Sequence, residues 1–222
     1  MARVREIWRY PIKSMAGERL ESCRIAEHGL EGDRRWAFID WSPNRAGKPL
    51  TIRQHAKLLT YRARLVDGGV EVAAPDGRVQ VADASLAATL AAESSRPLEL
   101  REQAGGNFDS EHVLIVNLAS VDAFALEAGM RVDRRRFRAN LYVDGLEPEE
   151  EVRWLGRRIR AGEAEVEVVS RDERCVVITR DPDTTEAAPE LLRLLTERHD
   201  QCMGIYCRVL RPGRVAVGDL VG

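Results

Sequence analysis

No stretch of this 222-residue chain approaches the roughly 20 consecutive apolar residues that a membrane-spanning helix requires. The opening Met1-Ala-Arg-Val-Arg-Glu-Ile-Trp8 lacks the apolar centre of a secretory signal, and Glu6 within a strand-like alternation argues against a transit peptide. The expected location is therefore cytoplasmic, with no membrane partner. Cysteine is scarce: Cys23, Cys175, Cys202 and Cys207 form no C-x-x-C pair and no zinc-ligand spacing, which disfavours a disulfide framework or a structural zinc site. The G-x-G-x-x-G and P-loop phosphate motifs are missing, as are H-E-x-x-H, G-x-S-x-G and any E-x-x-H pair, so the common dinucleotide, nucleotide, zinc-peptidase, serine-hydrolase and di-iron signatures are excluded. A formal net charge of only -2 creates no global field toward nucleic acid, and anion binding must come from local clusters.

What is present is an ordinary globular composition, 44% hydrophobic and 32% charged, in a chain long enough for one large β-rich domain or two small ones. Period-two alternation predicts strands over Val4–Tyr10, Leu20–Ala26, Trp36–Asp40, Arg62–Val66 and Val70–Ala74. The turn residues Asp67-Gly-Gly69 and Pro75-Asp-Gly77 make Arg62–Val81 a meander. Alanine content predicts a helix over Ala84–Glu93 with Asp83 or Ser85 as N-cap. The polar segment Ala104-Gly-Gly-Asn-Phe-Asp-Ser110 then reads as a boundary or an active-site loop, dividing the chain into 1–104 and 105–222.

Beyond it the pattern predicts a strand over Val113–Asn117, a helix over Ser120–Ala128 ended by Gly129, and a strand over Phe137–Val143. A hairpin follows around Ala161-Gly162. Pro189–His199 reads as an amphipathic helix burying Leu191, Leu192, Leu194 and Leu195, and Gly204–Leu210 and Val215–Val221 as closing strands. Strand runs outnumber helices by about two to one without βαβ alternation, so the predicted fold class is mainly β with α (α+β): a barrel or sandwich with a few peripheral helices.

Four constellations carry chemistry. In Tyr10-Pro-Ile-Lys-Ser14, proline ends the strand and leaves Lys13 and Ser14 beside free N–H groups, an arrangement suited to an oxyanion or else a plain solvated strand end. In Gly29-Leu-Glu-Gly-Asp-Arg-Arg-Trp36, Arg34 and Arg35 point to opposite faces, so that one of them faces a pocket or Asp33 simply pairs with one at the surface. In Val132–Asn140, a strand would set Arg136, Arg138 and Asn140 on one face, a polar wall matching phosphate geometry. Finally, Arg174 precedes Cys175. Neighbouring cations favour the metal-binding thiolate, while burial as a core residue is the common state of a lone cysteine. Cys202 and Cys207 read as strand packing, and the four histidines show no nucleophile-partner spacing.

Taken together, Tyr10-Pro-Ile-Lys-Ser14, Gly29-Leu-Glu-Gly-Asp-Arg34, Leu50-Thr-Ile-Arg-Gln54, Arg136-Phe-Arg-Ala-Asn140, Arg174-Cys175 with Asp181-Pro182, and Val217-Gly-Asp219 resemble the MOSC family, the molybdenum-cofactor sulfurase C-terminal domain, preceded by its N-terminal β-barrel domain. The pattern is similar to amidoxime-reducing components and bacterial reductases of N-hydroxylated bases. The resemblance implies a β-barrel MOSC core over 105–222 with a smaller N-terminal β-rich domain over 1–104. It further implies a molybdopterin-type molybdenum cofactor with Cys175 as catalytic metal ligand. Lys13, Ser14, one of Arg34 and Arg35, Arg138, Asn140, Arg174 and Thr179 would hold the pterin phosphate and polar edges.

The implied reaction reduces N–OH to N–H in small substrates, with electrons from separate electron-transfer proteins; the alternative is a cofactor or sulfur carrier without turnover. No pyridoxal phosphate module and no iron–sulfur cysteine pattern are expected in this chain. The acidic Glu147-Pro-Glu-Glu-Glu151 reads as a partner dock or a solvated loop. Three departures stand out: Glu173 where the family usually carries a small or hydroxyl residue, Ile178-Thr179 in place of two threonines, and Glu151-Val-Arg-Trp154 without the usual aspartate.

Overall fold

The computed structural model describes the whole chain, Met1–Gly222. Seven strands close into a mixed barrel. In barrel order they are Leu141–Asp144, Val113–Asn117, Cys202–Arg211, Ala164–Glu173, Arg158–Ala161, Leu220–Val221 and Ala2–Arg9. Closure comes from the antiparallel pairing of Ala2–Arg9 with Leu141–Asp144, from Arg3 opposite Asp144 to Ile7 opposite Leu141, with a register shift between Val4 and Glu6. Only Val113–Asn117 and Leu141–Asp144 run parallel. Alternating inward residues such as Val4, Ile115, Val143, Val166 and Ile205 fill the barrel.

A separate apolar cluster, built from residues 12–90 alone, includes Ile12, Phe38, Leu58, Val72, Leu86 and Leu90. It lies among the three-stranded meander Arg62–Val66, Gly69–Ala73 and Val79–Val81, the sheet centred on Trp36–Asp40, and the helix α1, Ala84–Ser94. Asp83 caps α1 by accepting the amides of Ser85 and Leu86 at 2.8 and 3.1 Å, so Asp83 rather than Ser85 is the N-cap. A third cluster packs α2, Leu118–Ala128, and α3, Pro189–Arg198, against the barrel through Phe124, Phe137, Tyr142, Leu191 and Leu195. Gly129 ends α2 in the left-handed conformation, and Leu192 and Leu194 are only half-buried. No helix is long and apolar enough to cross a membrane.

One expected strand, Phe137–Val143, begins later than predicted. Phe137–Asn140 is not strand: Asp133 accepts the Arg135 amide at 2.8 Å and starts a 3-10 turn over Arg134–Phe137, Arg138 follows at φ 54°, and extended pairing begins only at Leu141. Side-chain capping by aspartate outcompetes the strand alternation here. Arg136 therefore does not share a face with Arg138 and Asn140; it is buried and donates to the Thr179 carbonyl at 2.9 Å and to Asp181 at 3.1 Å.

Asp40 anchors the sheet centred on Trp36–Asp40. Its fully buried carboxylate accepts from the Ser42 amide at 2.9 Å, the Ser42 hydroxyl and Arg96 at 2.7 Å, with Arg45 at 3.3 Å. Burial alone would raise its pKa, but the Ser42 hydrogen bonds and Arg96 hold it below the usual carboxylate range. A folded pKa below the unfolded one contributes stability above the unfolded value, near about 3.9, and loses it as pH falls through the folded one. Asp40→Asn is thus expected to cost about 2 kcal/mol at neutral pH. In urea titrations the gap to wild type should narrow once pH drops below about 4; a gap that stays constant down to pH about 3 would refute the assignment.

Candidate functional site

The opening strand stops at Arg9 because Pro11 cannot donate to a ladder. Ile12 then bridges to Trp36, the Lys13 amide donates to the Trp36 carbonyl at 2.8 Å, and Ser14 turns at φ 72°. In the second segment the turn after Leu30 brings Asp33 under the strand end, where it accepts the Tyr10 amide at 2.7 Å, and Arg34 turns at φ 51°. Ser14, Arg34 and Arg138, three non-glycine residues held in the left-handed region, line one cavity of about 420 Å³. Clustering of such conformations marks a place where surrounding structure over-determines the backbone.

Seven of the nine sequence-derived residues line that cavity: Lys13, Ser14, Arg34, Arg138, Asn140, Arg174 and Cys175. The other two do not. Arg35 points away, its side chain 44% exposed and paired with Glu102 at 2.7 Å, so the choice between the adjacent arginines falls on Arg34. Thr179 is buried outside the lining and its hydroxyl donates to the Val176 carbonyl at 2.8 Å. Asn140 borders the cavity with its amide already engaged. Its Nδ2 donates to the Trp8 carbonyl at 3.2 Å and to Asp33 at 3.0 Å, and its Oδ1 accepts the Leu114 amide at 3.1 Å. It braces the wall.

The cations differ in how far they are satisfied. Lys13 donates to the Asn107 carbonyl at 2.6 Å and to Asp109 at 2.7 Å; burial pulls its pKa down against the pull of Asp109. Arg34 pairs with Asp33 and donates to the Arg138 carbonyl at 3.1 Å; burial would lower its pKa, but Asp33 outweighs it and holds it above its ordinary value.

Arg138 has no carboxylate partner. Its guanidinium lies 4.5 Å over the Tyr10 ring, and burial pushes its pKa down to about 10. Arg174 pairs with Asp172 and donates to the Phe137 carbonyl at 2.8 Å, yet its buried Nε has no partner and burial lowers its pKa. Arg171 Nε is likewise buried and unpaired, and neither the amide nor the hydroxyl of Ser14 makes a hydrogen bond within the chain.

Cys175 sits half-buried at the start of the 3-10 turn Val176–Thr179. Its Sγ accepts from Arg53 Nη2 at 3.2 Å. Glu173, two residues earlier, is exposed on the cavity lining, where its carboxylate accepts from Gln201 at 3.2 Å.

Arg53, Asp109, Tyr206 and Asp33 also shape the site, and sequence reasoning gave none of them a role. Arg53 lay within a quoted motif and Asp109 within the flagged loop, so a signal existed for both. Tyr206 and Asp33 were read only as packing or surface pairing.

The unpaired Arg138 guanidinium and the free Ser14 amide and hydroxyl leave hydrogen-bond donors on the cavity lining, a set that an oxyanion such as phosphate matches. Nowhere does the fold gather three or more His, Cys, Asp or Glu side chains in metal-holding range. A metal at Cys175 would draw its other ligands from a bound molecule, and a soft thiolate beside phosphate donors fits a sulfur-bearing, phosphorylated cofactor.

Among known proteins, a family model described as the MOSC domain matches residues 101–222, and one described as the MOSC N-terminal beta barrel domain matches residues 1–115. The chain is 26% identical over 238 residues to a molybdenum cofactor sulfurase of Caenorhabditis elegans, covering 91% of this chain and 33% of that protein. It is 24% identical over 243 residues to the molybdenum cofactor sulfurase of Drosophila mojavensis, covering 89% and 30%. It spans about a third of the length of these relatives. The YuaD protein of Bacillus subtilis shares the fold, with a TM-score of 0.50 at 15% identity over 99% of this chain and 93% of that one.

The geometry of Arg138 sets stability against binding. Arg138→Gly removes left-handed strain and an unpaired cation, so stability should rise by about 1 kcal/mol while affinity for pyrophosphate falls about tenfold. Thermal melts with and without pyrophosphate read both. In the wild type the pyrophosphate-induced rise in Tm should shrink as salt rises, because charge pairing with the Arg138 guanidinium is screened. A variant with lower Tm and an unchanged pyrophosphate shift would refute this.

Proposed function

The chain belongs to the MOSC domain family and carries that family's N-terminal β-barrel domain, and on this premise we propose that its cavity binds a molybdopterin-type molybdenum cofactor and reduces N-hydroxylated compounds. The observation that supports this reading most is the meeting of Cys175 with the unpartnered donors of Ser14 and Arg138 in one cavity. Lys13, Ser14, Arg34, Arg138 and Arg174 would hold the phosphate and adjoining polar edges, and Cys175 would ligate the metal. The bound group would supply a two-electron centre able to cleave an N–O bond.

The protein's own part is to bind, orient and neutralise. Two electrons and two protons convert each N–OH to N–H and water, the electrons arriving from separate electron-transfer proteins in the cytoplasm. Convergent arginines offset the anionic charge of the ligand locally, which is why a chain of net charge -2 still presents a cationic wall. Asp109, paired with Lys13, tempers that wall until an anion competes for the lysine. Glu173 stands at the exposed edge with Gln201 as its partner and is free to contact whatever approaches Cys175 from solvent.

A second reading is a carrier that holds the cofactor, or sulfur destined for it, without turnover. It is favoured by the sulfurase names of relatives that this chain matches over only about a third of their length.

Chain purified from a cofactor-producing host should contain about one molybdenum and one molybdopterin per protein. With a chemical reductant it should convert an N-hydroxylated amidine to the amidine, and Cys175→Ala should reduce turnover to background. Full metal loading without turnover would favour the carrier. Protein from such a host with neither molybdenum nor pterin would overturn both readings.

A further inference from the structure

Arg53 lies 122 residues from Cys175 in the chain, yet both line the cavity and its Nη2 is 3.2 Å from the sulfur. Its turn is braced: the Thr51 amide and hydroxyl reach Gln54 Oε1 at 3.1 and 2.7 Å, the Arg53 amide meets Thr51 Oγ1 at 3.3 Å, and Leu50 and Ile52 are buried beside it. The guanidinium has no close carboxylate; Asp109 lies 3.8 Å from Nη1.

Arg174, adjacent to Cys175 in sequence, turns its guanidinium inward to Asp172 and the Phe137 carbonyl. The cation that reaches the sulfur is therefore Arg53. One nitrogen of the guanidinium faces the sulfur and the other lies toward Asp109, so its positive charge stands at the reacting atom.

We propose that Arg53 is the positioning residue of Cys175: it holds the sulfur toward the cavity and gives anionic reactants preference over neutral ones at that sulfur. The assignment stands on side-chain geometry and does not depend on the molybdenum reading, so it can fail or succeed independently of metal analysis.

Alkylation of Cys175 by iodoacetate and by iodoacetamide tests it, since in both the sulfur displaces iodide and only the charge of the reagent differs. The cofactor-free full-length chain is used so that the sulfur is open, and the rate at Cys175 is read by peptide mass spectrometry. The iodoacetate-to-iodoacetamide ratio of the folded chain is divided by that of the urea-unfolded chain, which removes the reagents' intrinsic difference.

Arg53→Gln should lower this quotient about fivefold, the effect of one charge about 4 Å away in a solvent-rich setting. Arg53→Lys should stay within about twofold of wild type, and Asp109→Asn, which removes a competing negative charge, should raise the quotient. Alkylation of the half-buried Cys202 reports folding and should not change; with Arg53 42% exposed, little packing is lost in either variant. The proposal is overturned if Arg53→Gln keeps the wild-type quotient with Cys202 unaffected. It is equally overturned if Arg53→Lys loses as much as Arg53→Gln, because shape and not charge would then be responsible.

Discussion

The carboxylate of Asp33 joins three distant segments at one buried point. With its side chain fully enclosed, it accepts from the Tyr10 amide, from Asn140 Nδ2 and from Arg34. Asn140 extends the junction to the Trp8 carbonyl and the Leu114 amide. The strand end, the turn after Gly29 and the barrel strand beginning at Leu141 are thereby fixed relative to one another, and Arg34 is aimed across the junction. Such a carboxylate is stable in the interior only because every partner is present; removal of one would leave a buried charge, an effect on the order of 3 to 5 kcal/mol. Precision at the cavity rests on this one side chain.

Around that point the chain tolerates features that a purely structural region would shed. Three left-handed non-glycine residues each cost about 1 to 3 kcal/mol, and Arg138 adds a cation with no carboxylate to meet it. The rest of the molecule offsets this with three apolar clusters and a closed barrel that leaves no free edge around its ring. Glu173, the departure that most threatened an anion site, sits on the exposed side with Gln201 as its partner, while the unpartnered donors of Ser14 and Arg138 stay uncontested.

Much of this was legible in the sequence, for reasons that can be named. The Asp83 cap, Gly129, the amphipathic α3 and strand alternation outside Phe137–Asn140 are local signals that the structure keeps. Barrel closure was not separable from a sandwich, because it depends on Ala2–Arg9 meeting Leu141–Asp144 far along the chain. The run Phe137–Asn140 misled because period two competes poorly with an aspartate cap and a left-handed residue. Seven of the nine expected residues come together at one cavity, and they came from motifs spread over the whole chain. Arg35 and Thr179 were included because sequence does not show which way a side chain turns: Asp33 holds Arg34, and the Thr179 hydroxyl is taken by its own backbone. Arg53 meets Cys175 from a distant part of the chain, and no spacing rule encodes such a contact.

Barrel closure also has a consequence in time. Ala2–Arg9 is synthesised first, but its barrel neighbours are Leu141–Asp144 and Leu220–Val221. At about 5 to 20 residues per second, the ribosome leaves that strand without its second neighbour for roughly 10 to 40 seconds. Until Leu141–Asp144 emerges, the wall bearing Lys13 and Arg34 has no barrel neighbour, and the part of the other wall bearing Cys175 follows later still. The cavity therefore has both its walls only once the segments beyond Cys175 have emerged, so its assembly comes late in the folding of the barrel.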